Sequence, residues 1–377
     1  MIKRPKSIAP GSVIGITAPS FGAATEPYSY LIDVAIENIT RRGYKILEGK
    51  TARLGDGIGI STDPKVAACE LTEFYKRGDI DAIISAGGGE LMNETITYVD
   101  FEELKSAEPK WFVGYSDNTN FIFPLVTITG VQGIYGPCIS GYGKVWEQTE
   151  EDAFALLEGT KDCFSGYDMF VKEPEKADEC EEGNSQDSSD EEPEEDLFSK
   201  PREEIFKVLR EYRYELNEKK VLTSFSCESG KAVKLSDTDK VNVSGILLGG
   251  CLEVLENLVG TRFDRVKEFK KDNKDIIWVL EKCEMNPMSY RRSLWNLREA
   301  GWFDGAAGFI IGRPGNFFDG DMMGVDRFNA VTDILAPIGA PIIMDADIGH
   351  VNPMLPIIMG ADADVTAIGN DLNIRYL

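Results

Sequence analysis

Histidine is almost missing from this chain: there is one in 377 residues, His350. Any general acid–base chemistry that uses an imidazole near neutral pH must therefore use His350. A zinc site built from several imidazoles is excluded outright. Basic residues are also scarce, with 40 Lys and Arg against 64 Asp and Glu, a formal net charge of −24. That balance disfavours a nucleic-acid backbone or an anionic membrane surface as partner. No run approaches the roughly 20 apolar residues of a membrane span. Lys3, Arg4 and Lys6 are followed by no long apolar stretch before Pro19, so no signal peptide is expected. Seven cysteines are present, and none forms a C-x-x-C pair. An odd, scattered set reads as reduced thiols in a cytoplasmic protein, not as a disulfide framework or metal cluster.

Apolar residues make up 42% of the chain, enough for real cores, and the length suits two domains. Residues 13–17, 44–47, 82–85, 111–113 and 133–135 read as short buried strands. Between them Tyr28, Leu31, Ile32, Ala35, Ile36 and Ile39 recur at helical spacing, with Gly43 as the stop, and residues 64–77 form a second helix. The second half alternates again: strands at 243–248, 276–280, 308–312 and 341–344, helices at 252–259, 290–300 and 325–335, then a terminal hairpin. Strands alternating with helices predict an α/β fold with parallel pairing, and a site at the carboxyl ends of the strands. The expected domains are 1–165 and 206–377, both α/β. Between them an insert, 166–205, carries about half of the net charge excess, at residues 173–196. Like charges at that density predict a solvated, partly disordered loop.

The candidate nucleophile is Ser116. In Gly114-Tyr115-Ser116-Asp117-Asn118 a strand runs into a helix through a sharp turn, which holds a hydroxyl at the sheet edge beside helix N-terminal amides. Asn118 stands where G-x-S-x-G has its second glycine, and a serine helix cap satisfies the same residues. Gly87-Gly88-Gly89 follows a strand; the amides of Gly88, Gly89 and Asp117 make a candidate oxyanion hole, although glycine runs also serve plain turns. Ser20 falls at another strand end. Four acids, Glu281, Glu284, Asp345 and Asp347, compete to orient the imidazole, and Glu281 is favoured by its place at the end of an apolar strand. Cys251, opening a helix, is an alternative nucleophile that reads better as packing.

Gly114-Tyr115-Ser116-Asp117-Asn118-Thr119, Gly249-Gly250, Trp278-Val279-Leu280-Glu281 and Gly349-His350-Val351-Asn352-Pro353 together resemble the LD-carboxypeptidase and microcin C immunity peptidase family of serine peptidases. The resemblance runs from about Val13 to the C-terminus, leaving out the acidic insert. It implies a Ser116–Glu281–His350 triad, a Rossmann-like N-terminal domain, a smaller C-terminal domain and a homodimer. Substrate contacts are expected at Ser20, Gly249 and Gly250, and no metal or other cofactor is expected. Where the carboxypeptidase branch usually carries Arg-Gly-Gly-Tyr-Gly, this chain has Ala86-Gly87-Gly88-Gly89-Glu90. The family's Gly-Gly-Asn is Gly249-Gly250-Cys251. These departures, with the longer chain, lean towards the immunity-peptidase branch.

Two classes of function stand beside each other. One is hydrolysis of a small peptide-like amide through an acyl-enzyme, on a toxic aminoacyl-adenylate analogue or on a murein tetrapeptide that loses D-alanine. The other is a non-catalytic small-molecule binding protein of the same fold. A glutaminase-type amidohydrolase is disfavoured because such enzymes usually carry a cysteine at the elbow.

Overall fold

The computed structural model describes residues 2–172, 200–315 and 320–377. The acidic run at 173–196 lies outside them.

Five short strands, β1 (Val13–Thr17), β2 (Lys45–Glu48), β3 (Ala82–Ser85), β4 (Trp111–Gly114) and β5 (Gly133–Tyr135), pair in parallel in the order β2-β1-β3-β4-β5. Strands β3, β4 and β5 are buried at every position, as a sheet covered on both faces requires. The helix Tyr28–Arg41 buries Ile32, Val34, Ala35 and Ile39 and ends before Gly43, whose φ of 92° closes it. The helix Pro64–Lys76 starts on Asp63, whose carboxylate accepts the amides of Lys65 and Val66, with proline at the first helical position.

The second half builds a larger sheet. In chain order its parts are β6 (Cys163–Ser165), a small ribbon of β7 (Met169–Phe170) and β8 (Glu218–Lys219), then β9 (Thr223–Ser226), β10 (Val233–Lys234), β11 (Lys240–Cys251), β12 (Ile276–Glu281), β13 (Gly308–Gly312), β14 (Ile342–Ala346), β15 (Ile357–Met359), β16 (Asp362–Ile368) and β17 (Asp371–Tyr376). Nine of them form one sheet in the order β10-β9-β14-β13-β12-β11-β16-β17-β6. Its centre, β11 to β14, is parallel, and its flanks are antiparallel. The parallel pairing expected of strands that alternate with helices is found in this centre, and the expected terminal hairpin is the antiparallel pair β16–β17. Short turns join β9 to β10 and β16 to β17, and such turns give antiparallel pairs; the other flanking pairs bring together distant stretches of chain. Strand β11 is longer than its apolar run. Residues 240–245 alternate exposed and buried where β16 is the neighbour, and 247–251 are wholly buried beside β12. The two sheets also exchange edges: β15 closes the first sheet against β5, and β6 closes the second against β17.

Among the described residues no helix is long and apolar enough to cross a membrane, and Cys69, Cys138, Cys163, Cys227, Cys251 and Cys283 are free thiols.

Candidate active site

The carboxyl ends of the parallel strands gather the residues singled out from sequence. Ser20 follows β1, the triple glycine follows β3, Ser116 follows β4, Glu281 ends β12, and His350 follows β14.

Ser116 has φ = 61°, the left-handed region that a residue with a side chain seldom occupies. Three hydrogen bonds hold this turn. The Ser116 N–H donates to the Tyr135 hydroxyl at 3.0 Å, and Asn118 Nδ2 donates to the carbonyls of Tyr115 (3.0 Å) and Gly87 (2.9 Å). Asn118 thus replaces the missing glycine of the elbow with a side-chain brace that reaches the glycine loop. A Cβ on Gly88 would lie 3.4 Å from Ser116 Oγ, so this glycine sits directly against the nucleophile candidate. The carbonyl of Gly87 is taken by Asn118 and by Ser85 Oγ, and that of Gly88 by the Phe21 amide at 2.9 Å. Because a trans peptide points its N–H opposite its C=O, the amides of Gly88 and Gly89 face away from those partners.

Beneath the elbow Asp117 is buried, and it accepts from Ser20 Oγ at 2.5 Å, the Met92 amide at 2.9 Å and Asn120 Nδ2 at 2.8 Å. Burial raises the Asp117 pKa, and these three donors oppose that rise. Ser20 is therefore wholly buried and engaged with Asp117. Gly89, at φ = 151°, leaves room for it, since a Cβ there would overlap the Ser20 hydroxyl.

The histidine loop brings His350 Nδ1 to 2.8 Å from Glu281 Oε2. Glu281 is 1% exposed and the imidazole 19%. A carboxylate at Nδ1 places the proton there and leaves Nε2 as the basic nitrogen. Gly349, at φ = 104°, allows the approach: a Cβ on it would lie 2.4 Å from Glu281 Oε2. Burial alone would lower the His350 pKa, but the Glu281 charge, the nearby Cys283 side chain and the hydrogen bond that the ring donates to Glu281 overcome it and raise the pKa well above its ordinary value. The other candidate acids are engaged elsewhere. Asp345 pairs with Arg327, Asp347 pairs with Arg313 and Lys220, and Glu284 is exposed.

Tyr135 was not singled out from sequence, yet it joins both halves of the site. Its hydroxyl accepts from the Ser116 amide and donates to Glu281 Oε1. Burial and the adjacent Glu281 charge push the Tyr135 pKa far up, so it remains a neutral donor. No motif marks it; only its place at the end of β5, opposite Gly114, points to it.

Gly249 and Gly250 serve packing in this structure. A Cβ on Gly249 would strike the Val279 carbonyl at 1.9 Å, and one on Gly250 would strike Thr119 Oγ1 at 2.5 Å. Cys251 is buried, its amide donates to Thr119 Oγ1 at 3.0 Å, and its thiol donates to Glu253 at 3.2 Å. Burial and the neighbouring carboxylates push that thiol's pKa well up, the reverse of what a thiolate nucleophile needs.

A cavity of about 200 Å³ opens beside His350, walled by Tyr115, Lys144, Glu150, Tyr212 and Tyr214 among others. Lys144 pairs with buried Glu150 at 2.9 Å and lies 4.2 Å from the Tyr214 ring centre. The sequence reading missed Lys144, Glu150, Tyr212 and Tyr214, because two lie on either side of the acidic segment and no motif links them.

The chain is similar to known proteins along most of its length. The model of the LD-carboxypeptidase N-terminal domain matches residues 14–136, and that of the C-terminal domain matches residues 244–365. The chain is 24% identical over 383 residues to the microcin C7 self-immunity protein MccF of Escherichia coli, covering 98% of this chain and 95% of that protein. The crystal structure of an MccF-like protein from Bacillus anthracis matches 100% of both chains with a TM-score of 0.73 at 19% identity. The structure of MccF in complex with aspartyl sulfamoyl adenosine matches 100% of this chain and 98% of that one, with a TM-score of 0.70 at 21% identity. With both halves matched by the two domain models, the chain belongs to the LD-carboxypeptidase family, to which the MccF immunity proteins are similar throughout.

Proposed function

We propose that this protein is a serine-type amidase of the immunity-peptidase branch, hydrolysing the amide of a toxic aminoacyl-adenylate analogue. The observation that carries the reading is the hydrogen-bonded chain Ser116 N–H to Tyr135 Oη to Glu281 to His350 Nδ1, which ties a strained serine to an oriented imidazole.

In this mechanism His350 Nε2 takes the Ser116 hydroxyl proton as Oγ attacks the amide carbonyl. The developing oxyanion is met by backbone amides. Ser116's own N–H is committed to Tyr135, so the donors are Asp117 and a glycine amide, Gly88 or Gly89. Each such donor is worth about 3 kcal/mol in the transition state. The imidazolium, held by Glu281, then protonates the leaving nitrogen, and water hydrolyses the acyl-enzyme by the reverse sequence.

The choice of substrate rests on two observations. Position 86, where the carboxypeptidase branch usually places an arginine, is a buried alanine, and so offers no cation to a murein peptide carboxylate. MccF, similar along its whole length, has been solved with an aspartyl sulfamoyl nucleoside. A homodimer is part of the reading, and so is the cytoplasm, which suits the free cysteines. Light scattering checks the dimer.

The test is mass spectrometry of the purified protein with aspartyl and glutamyl sulfamoyl adenosine and, separately, with a murein tetrapeptide, each with His350→Ala as control. Cleavage of the nucleoside amides alone is the expected result. Release of D-alanine from the tetrapeptide instead would make the chain a murein LD-carboxypeptidase. Cleavage of neither by a folded protein would sink both and favour a binding role.

A further inference from the structure

The acidic end of β12 is held by a carboxylate that takes no part in the mechanism above. Glu253, half-buried, is the second residue of the helix Leu252–Leu258 that follows β11. Its Oε1 accepts three consecutive backbone amides, Cys283 at 2.9 Å, Glu284 at 2.9 Å and Met285 at 3.1 Å. Its Oε2 accepts the Cys251 thiol at 3.2 Å. Three convergent amides on one oxygen form an anion nest, filled here by the chain's own side chain.

The bound segment is the short link from Glu281 to the helix Pro287–Glu299, and Cys251 is the residue paired with Glu281 across β11 and β12. Glu253 therefore grips the chain on both sides of Glu281: the neighbouring strand at Cys251 and the following loop at Cys283. A side-chain hydrogen bond joins Glu281 to the His350 imidazole, and the Cys283 side chain is among the groups that act on that ring. A shift of the 283–285 loop would disturb the strand end that carries Glu281, the partner of the ring.

We propose that Glu253 is a positioning residue of the active site, acting through the 283–285 amides to fix Glu281 against His350. The inference rests on the triad reading but not on the identity of the substrate. The role is geometric. A glutamine at this position keeps a carbonyl oxygen for the three amides while removing the charge. An aspartate keeps the charge but is one methylene too short to meet all three.

The chain's single histidine makes the test direct. Protein labelled with 15N-histidine gives one imidazole, whose titration is read by NMR without assignment and without substrate. The groups around that ring are Glu281 and Cys283 on the β12 segment, Glu90 beyond the triple glycine, Tyr115 after β4, and Lys144 and Glu150 across the cavity. Of the others, Glu90 also feels the Glu253 charge, and Glu253→Gln, which removes that charge while keeping the carbonyl oxygen, controls for it.

Glu253→Gln is expected to keep the wild-type His350 titration and kcat within about twofold, whereas Glu253→Ala should draw the titration back towards the ordinary value of about 6.5. With whichever sulfamoyl nucleoside or tetrapeptide the wild type cleaves, Glu253→Ala should lose about ten- to a hundredfold in kcat, the scale of an ångström-sized misplacement, with KM within about threefold. Glu253→Asp should fall between them, and it decides the matter if the alanine variant does not fold. The proposal is overturned if Glu253→Ala or Glu253→Asp lowers only the melting temperature and leaves the His350 titration and kcat as in the wild type. It is equally overturned if Glu253→Gln matches the alanine variant, since charge would then be the cause. If the wild type cleaves neither substrate class, the functional reading fails, and the NMR titrations still decide the positioning role.

Discussion

The Tyr135 hydroxyl donates to the Glu281 carboxylate across 146 residues of sequence. The same oxygen accepts the Ser116 amide, so one phenol sets both the backbone of the proposed nucleophile and the free oxygen of the orienting acid. Because Glu281 spends Oε1 on Tyr135, only Oε2 is left for the imidazole, which fixes the rotation of the carboxylate and hence of the ring.

Tyr135→Phe removes that oxygen and little else. It leaves the Ser116 amide and one carboxylate oxygen without this partner inside the fold, so unfolding free energy should drop by about 1–3 kcal/mol. Turnover should fall more than binding, by about ten- to a hundredfold in kcat with KM little changed. Steady-state kinetics beside a urea titration separate the two effects. A fully active Tyr135→Phe protein would mean the bridge is incidental.

The His350–Glu281 pair predicts a pH dependence of activity. The imidazole acts as a base only when neutral, and its pKa is raised in the folded protein. The acid limb of kcat/KM should therefore lie above the ordinary histidine value of about 6.5. Glu281→Gln should move that limb towards lower pH while cutting kcat by about a hundredfold or more, because an amide does not hold the tautomer or the imidazolium.

The same shift links pH to stability with a definite sign. A group whose folded pKa is raised contributes stabilisation fully below its unfolded pKa, about 6.5, and loses it as pH rises through the folded value. The stability gap between wild type and Glu281→Gln should be widest below about pH 6.5 and shrink in alkaline buffer. Chemical denaturation across the range checks this; a gap that widens with pH would contradict the ion-pair assignment.

Asn118 is predicted to matter as a brace. Asn118→Ala removes donors to the Tyr115 and Gly87 carbonyls, freeing both a strained elbow and the glycine loop beside it. Preorganised amides lose value when they must reorganise, so kcat should fall by about tenfold or more while the fold is retained. Circular dichroism with single-turnover kinetics tests both halves of the statement.

Cys251→Ser should be nearly silent. The hydroxyl still donates to Glu253, and the native thiol, buried and with its pKa pushed up, is not a nucleophile. Activity within about threefold of wild type is expected. Abolished activity would move the chemistry to Cys251.

Much of this site was legible in the sequence because its key residues sit at strand ends. A buried strand that stops at a polar residue announces both the element and the edge, as Val113-Gly114 before Ser116 and Leu280 before Glu281 do. His350 was legible by scarcity alone. What escaped was non-local. Tyr135 looks like one more apolar strand residue until the elbow packs over its hydroxyl, and Glu253 looks like a solvated first-turn acid until the 283–285 amides close on it. Strands β6, β10 and β15 at the sheet edges, and β9 next to one, were missed for the same reason. They are two to four residues long, and they are strands only because a distant partner lends its hydrogen bonds. Among the competing acids, Asp345 and Asp347 could be set aside only once Arg327, Arg313 and Lys220 were seen to neutralise them.

The most direct test of the central claim is to treat the protein with a fluorophosphonate, which modifies an activated serine, and to locate the adduct by peptide mass mapping. The account predicts a single adduct on Ser116 that is lost in His350→Ala and strongly slowed in Glu281→Gln. An adduct on another residue, or undiminished labelling of Ser116 in His350→Ala, would contradict it.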